Sequence, residues 1–515
     1  MNKRLGSLLA IIVAMAILVV GIDCYAKYTI NKYSYKAIYD NNVYTRNCCD
    51  YAMERVIDNQ SIVVMGSSEL GSDDELAYPP HLFNNGNSDF NMVLYGGAHL
   101  QSLAMAINIG ALQNNINNGK IVLIISPQWF TETGVTEDNF SSRFEELNFV
   151  EFLKNQNISV NTKEEVSGRV NSLLNADMPT LQRVLKDENV YLYNSHNPFH
   201  NLEVMIYNAF KSAKVRFSMI NEYKCLPELD MSHFVKSENI DFSEMLCQAE
   251  QMGNKECKNN DYGINDDYFD RIIKSEYDSF ENSNNELSYV TSPEYNDFRL
   301  FLQVCHETQL EPLIVSVPLN GRWYDYTGFP KDDRNTYYQN IRDICAEYGV
   351  SLLDFSEREY ELFFLKDIMH MGWKGWVYTD QAIYDFFKGN VINNSLDHIE
   401  IQPTEVKLSN GIIQDDDNSF MFPVSCENDS IESVELKIGD DNTIIDKTNS
   451  DGTRQAVFLY KDVYEDNVIR FESNNEYLDL LFPLESNGVY KVKYNIQFVD
   501  NMARVSELNV EKINY

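Results

Sequence analysis

Positive charge is scarce in this chain. Lys and Arg number 42 against 78 Asp and Glu, a formal net charge of −36. A nucleic-acid binder needs a basic footprint, so that class is set aside. Adhesion of the whole molecule to an anionic surface through its own field is disfavoured on the same ground. Cysteine is sparse as well, nine residues at 24, 48, 49, 225, 247, 257, 305, 345 and 426. The number is odd, and there is no C-x-x-C and no Cys/His spacing of the zinc type. Cys247 and Cys257 could pair under oxidising conditions, but for so few cysteines in a chain of this size mostly buried free thiols are expected. Long apolar runs are absent after residue 22. What remains is 44% hydrophobic, a globular composition, and 515 residues can bury at least one large core in about two to four domains.

The N-terminus differs from the rest. Lys3 and Arg4 precede residues 5–22, LGSLLAIIVAMAILVVGI, a run of 18 without a charge. That is about the minimum for a helix to cross a hydrocarbon core. A cleavable signal peptide is the rival, with Cys24 and Ala26 at −3 and −1 of a cut. The run is longer than a usual signal core, so an uncleaved anchor over residues 1–27 is expected. Lys27, Lys32 and Lys36 follow it, so the charge-asymmetry rule is not clean, and a large domain outside is taken as the common outcome.

Residues 28–60 form a polar, Tyr- and Lys-rich stem. Short apolar runs at 61–65, 91–95, 120–125, 313–317 and 350–354 then read as buried strands, with helix-length segments at 100–118 and 337–348 between some of them. Near-continuous apolar strands separated by helices predict a doubly wound parallel α/β sheet covered on both faces. The interval of about 140–300 is too long for a plain crossover and is expected to be a helical insertion, with periodicity at 144–153 and 181–192. Leaving from the carboxyl ends of the strands, it would form a lid or substrate wall, or be helical filler. From about 391 the pattern turns to short alternating runs at 434–438, 456–460, 468–471 and 489–499. These predict a C-terminal β-sandwich of roughly 120 residues. It shows no catalytic cluster; a spacer or docking role is preferred over carbohydrate binding.

Two motifs within residues 61–390 carry chemistry. The run SIVVMGSSEL ends a strand at Gly66 with Ser67 and Ser68 directly behind it. A serine on a sharp bend beside exposed N–H groups is raw material for a nucleophile, although GSS after a strand is commonly just a turn or cap. Far downstream, Asp367 and His370 stand three residues apart before a Gly/Trp-rich turn. Such spacing lets a carboxylate fix an imidazole tautomer and balance its charge. The bland alternative is a helix-entry Asp with a packed His. The serine lacks the G-x-S-x-G of an ordinary α/β-hydrolase elbow.

GSSE at 66–69, ISPQWF at 125–130 and D-x-x-H-x-G-W-x-G-W at 367–376 together resemble the DltD family of D-alanyl-lipoteichoic acid biosynthesis proteins, distant relatives of the SGNH/GDSL hydrolases. The resemblance spans about residues 1–390; its last motif is specific, GSSE alone is not. In the SGNH pattern the nucleophile is the second residue after Gly, which favours Ser68 over Ser67. The G-x-N-D block that supplies an oxyanion Asn is not visible. Gln128 in SPQWF is one candidate donor, with core packing as its rival, and the N–H of Gly97 is another, with a tight βα turn as its rival. Gln101 and Ser102 could line the pocket. Glu69 could face a substrate ammonium or simply favour a helix start. Trp373 and Trp376 are read as packing that holds the His loop.

The resemblance implies a membrane-anchored, extracytoplasmic SGNH-like acyltransferase or thioesterase in teichoic acid D-alanylation. In it Ser68, His370 and Asp367 pass a D-alanyl group from an activated donor or carrier to lipoteichoic acid or water. It further implies work beside a membrane-bound O-acyltransferase, and requires no metal or organic cofactor. Two alternatives stay open: an O-acetyltransferase or esterase acting on a surface polysaccharide, and a non-catalytic scaffold for the acyltransferase.

Overall fold

Five parallel strands organise the first part of the chain in the order β2-β1-β3-β4-β5, with β1 Ser61–Gly66, β2 Asn91–Gly96, β3 Lys120–Ile125, β4 Glu311–Ser316 and β5 Ser351–Asp354. This computed structural model describes residues 3–37, 53, 57, 59–71, 76–77, 79–83, 90–116, 118–174, 198–226 and 240–390. Beyond these it describes 397–409, 413–416, 419–427, 431–438, 441–447, 452–460, 468–473, 475–483, 488–499 and 501–514. The expected strands fall within two residues of these bounds at every end. Each residue of β1 is buried, so side chains on both faces of the pleat meet a helical layer. The run IVVM suits that position because β-branched side chains pack well on a pleated surface.

The helices that frame the site and its surroundings are α1 Lys3–Ala37, α2 Ser102–Leu112, α3 Glu146–Lys154, α4 Val160–Leu173, α5 Pro198–Cys225, α6 Phe242–Glu256, α7 Glu294–Glu307, α8 Lys331–Tyr348 and α9 Trp373–Lys388. The crossover α2 packs against α3 and α7, and is apolar nearly all round because it is covered nearly all round. On α9 a buried stripe includes Trp376 and Ile383, both fully buried, and this helix packs against α6. Residues between β3 and β4 form the insertion, and α3 lies where helical periodicity was seen at 144–153; the stretch 181–192 lies outside the described residues.

The helix α1 is unbroken through Ala37 and so runs past residue 27, where the sequence suggests a polar stem. Its Val13–Ser34 stretch is long and apolar enough to cross a membrane. Lys27 is absorbed into the helix through an i,i+4 ion pair with Asp23 at 2.9 Å.

The chain divides into two compact units, Met1–Glu359 with Phe363–Ile392, and Asn393–Tyr515 with Tyr360–Leu362. In the second, two six-stranded antiparallel sheets share one apolar core. Strand Ile431–Ile438 shows why: Val434, Leu436 and Ile438 alternate inward at 0%, 1% and 6% exposure, the period-2 pattern of a strand wet on one side. Phe471 and Tyr494, one from each sheet, meet edge-on with ring centroids 5.3 Å apart.

All six described cysteines outside the second unit are free, including Cys247 and Cys257, which therefore do not pair. Only Cys305 and Cys345 are buried, so the expectation of mostly buried thiols does not hold among them; Cys24, Cys225 and Cys247 are exposed.

Candidate active site

The serine turn begins with two glycines in register. Gly66 closes β1 opposite Gly96 of β2, and a Cβ on Gly96 would stand 1.8 Å from the Gly66 carbonyl oxygen. Two strands can end this close only without side chains there. The chain then leaves the sheet into the 3-10 turn Ser68–Gly71, with the Leu70 side chain fully buried beneath it. Ser68 stands at the start of that turn, on the carboxyl edge of the sheet where doubly wound folds place ligands.

The histidine loop is built as a small hairpin ahead of α9. An isolated bridge joins Leu365 to Met371, and the Lys366 N–H donates to the His370 carbonyl at 2.9 Å. The Gly372 N–H donates to the Phe364 carbonyl at 2.8 Å, and a Cβ on Gly372 would meet the Lys366 nitrogen at 2.7 Å. Asp367 organises the turn itself: its Oδ1 accepts the N–H groups of Met369 and His370, both at 2.8 Å. Trp373 and Trp376 are buried at 2% and 0% exposure and hold this loop by packing.

The two motifs meet. His370 Nε2 lies 2.8 Å from Ser68 Oγ, and His370 Nδ1 lies 2.8 Å from Asp367 Oδ2. Burial opposes the charge on Asp367, yet the bonded imidazole and the two backbone N–H groups outweigh it and hold the carboxyl below the usual carboxylate range. Burial alone would lower His370, but Asp367, and after it Glu69, outweigh that and raise the imidazole above its ordinary value.

The remaining sequence candidates divide into two groups. Glu69 is 2% exposed and turned inward: its Oε2 accepts the Ser67 N–H at 2.9 Å and its Oε1 the Gln128 Nε2 at 3.4 Å. Burial pushes its carboxyl up, with His370 and the Ser67 N–H acting against that. Gln128 is further held by the Ser126 hydroxyl, which donates to its Oε1 at 2.9 Å. The amide of Gln128 is thus engaged by its neighbours. Gly97 and Gln101 are not among the residues lining the cavity beside Ser68. Ser102, fully buried, donates its N–H to Glu294 Oε1 at 2.9 Å, so the carboxylate of α7 caps α2.

That cavity is about 530 Å³ and is walled partly by residues with no sequence signal. Glu256, Asn265, Asp267, Tyr268 and Arg271 come from the insertion, and Lys366 from the histidine loop. The insertion is pinned to the loop by the Asn265 N–H, which donates to the Lys366 carbonyl at 2.9 Å. Burial and the Asp367 charge push the Tyr268 phenol up to about 12. Asp267 and Arg271 pair at 2.8 Å on the open side. Among the described residues no group of three or more His, Cys, Asp or Glu could hold a metal ion. The wall residues of the insertion escaped the sequence because they lie about a hundred residues before the histidine motif and nearly two hundred after Ser68, in stretches whose polarity reads as surface.

Fold and site together define an α/β protein with a Ser–His–Asp hydrogen-bonded relay at the carboxyl ends of its parallel sheet. The chain belongs to the DltD family: the family model described as DltD protein matches residues 39–388. It is 33% identical over 341 residues to Protein DltD of Bacillus subtilis (strain 168), covering 64% of this chain and 83% of that relative. Protein DltD of Staphylococcus aureus (strain NCTC 8325 / PS 47) is 28% identical over 335 residues, 64% of this chain and 82% of its own. Protein DltD of Lacticaseibacillus rhamnosus is 27% identical over 326 residues, 63% of this chain and 77% of its own.

Proposed function

We propose that this chain catalyses serine-dependent acyl transfer in the D-alanylation of teichoic acid, acting outside the cytoplasmic membrane as an SGNH-like transferase or thioesterase. The observation that carries the reading is the continuous relay Ser68–His370–Asp367, with both links at 2.8 Å. His370 Nε2 takes the Ser68 Oγ proton as that oxygen attacks the carbonyl carbon of an activated D-alanyl ester or thioester. The leaving alkoxide or thiolate then takes the proton from the imidazolium. A polyol hydroxyl of lipoteichoic acid, or water, gives its own proton to His370 and attacks the acyl-serine, and Ser68 leaves reprotonated. Asp367 keeps the imidazole in the required tautomer and balances its charge. With the Gln128 amide engaged by Glu69, oxyanion stabilisation falls to backbone N–H groups near Ser68. The acid and base side chains of the cavity suit a donor with an ammonium and an acceptor with phosphates. Work beside a membrane-bound O-acyltransferase fits this role.

The test is intact-mass analysis of the full chain after exposure to a fluorophosphonate. One adduct is expected on the parent protein and on Ser67→Ala, with none on Ser68→Ala or His370→Ala. No adduct on the parent, or one that survives Ser68→Ala, overturns the reading in favour of a scaffold.

A further inference from the structure

The helix α5 presents an apolar row to its surroundings. Ile206, Phe210 and Phe217 are 59%, 57% and 53% exposed. At i, i+4 and i+11 they fall within an arc of about 40° on one helix face. A globular surface seldom shows three large apolar side chains in one file without a use for them.

The neighbouring flank of α5 packs along α1. Arg216 Nε stands 2.6 Å from Asp23 Oδ1, and Lys224 Nζ donates to the Tyr25 hydroxyl at 2.7 Å. Ala26 and Ile30 of α1, and Met219 and Tyr223 of α5, are fully buried. This contact sets the level of the row. Ile206 lies ten residues from Arg216, about 15 Å along the helix. From Asp23, ten residues along α1 reach 13 in one direction and 33 in the other. Both fall inside Val13–Ser34, the stretch apolar enough to span a bilayer. Whichever way the two helices run, the row lies level with the span.

We infer that Ile206, Phe210 and Phe217 form a second membrane contact, with the lipid bilayer as their occupant, beside the anchor; this rests on α1 being a membrane span. Charge limits which side meets lipid. Lys211, Lys214, Arg216 and Lys224 lie on the same helix, with Lys211 paired to Glu146 at 2.8 Å and Arg216 to Asp23 at 2.6 Å, so the charged side chains stay against protein or reach toward headgroups while the row alone faces the acyl chains. The insertion that walls the cavity then also ties the catalytic unit to the membrane at a second point.

Fluorescence tests this on the full chain reconstituted in phosphatidylcholine–phosphatidylglycerol vesicles with brominated acyl chains. The four native tryptophans, Trp129, Trp323, Trp373 and Trp376, are all buried and serve as the unquenched background. Phe210→Trp and Phe217→Trp should each add emission that brominated lipid quenches roughly twofold, as for a ring in contact with acyl chains. Added emission quenched by aqueous acrylamide and not by lipid, or by neither, overturns the contact, the second outcome pointing to a protein partner on the row. Leu18→Trp reports on the anchor itself. If it is lipid-quenched while the α5 positions are not, the second contact fails alone; if it too escapes, the anchor reading falls with it.

Discussion

His370 binds its proton more tightly than a free imidazole, because the Asp367 and Glu69 carboxylates outweigh the effect of burial. Only the neutral imidazole can accept the Ser68 proton. The rate of serine labelling should therefore rise with pH through a midpoint above 6.5. Asp367→Asn removes the larger of the two influences on His370: its midpoint should fall, and its plateau rate should drop by about 10² to 10⁴. Glu69→Gln should also lower the midpoint while costing less rate. A pH–rate profile of fluorophosphonate labelling checks all three, and an unmoved midpoint in Glu69→Gln would reduce that residue to packing. The stability consequences have opposite signs. The lowered Asp367 carboxyl contributes stability above its unfolded value of 3.8, lost as pH falls through the folded value. The raised His370 contributes below 6.5, and that is lost as pH rises through its folded value. At this scale the sequence was legible where residues sit in fixed local patterns: Asp367 and His370 share one turn, and Ser68 follows a strand end. Gln128 was not, because its amide partner Glu69 stands 59 positions away and nothing in SPQWF points to it.

Among elements, the paired ends of β1 and β2 bear most directly on Ser68. A methyl group at Gly96 cannot fit against the Gly66 carbonyl without moving backbone, and backbone movement there carries Ser67 and Ser68 with it. Gly96→Ala should cost about 1–3 kcal/mol and reduce Ser68 labelling. Thermal unfolding run beside the labelling assay would show both losses; a stable, fully labelled variant would mean that the strand ends are not what places the serine. Strands β1, β3 and β4 were readable because each is a short run rich in Val, Ile and Leu and buried on both faces. The cavity wall was not, since Asn265 reaches the histidine loop through backbone atoms, which carry no sequence signature. The pairing of α5 with α1 was equally hidden, its Arg216–Asp23 contact joining residues 193 positions apart.

For the whole molecule, the relay and the cavity residues all belong to the first compact unit, and the family match ends at residue 388. A chain ending at Ile392 should still label at Ser68 with a pH profile like that of the full protein. Loss of labelling on that truncation, with the fold retained by circular dichroism, would assign the antiparallel sheets a part in the chemistry. The change of texture near residue 391 marked the second unit in the sequence, because strand alternation and helical spacing have different periods.

The insertion also governs when the site can exist. Strands β3 and β4 are hydrogen-bonded neighbours, yet residues 126–310 must be made before the second can pair with the first. Closing so long a loop adds little thermodynamic penalty, about 0.6 kcal/mol per doubling of length, but it makes the sheet slow to complete. During synthesis β1, β2 and β3 can form a half-sheet whose β3 edge stays unpaired, an aggregation-prone interval for a growing chain. Ser68 is present from early in that interval, while its histidine partner arrives 302 residues later. The Ser68 hydroxyl thus lacks its imidazole partner until the first unit is nearly all made, a delay written into the order of the strands.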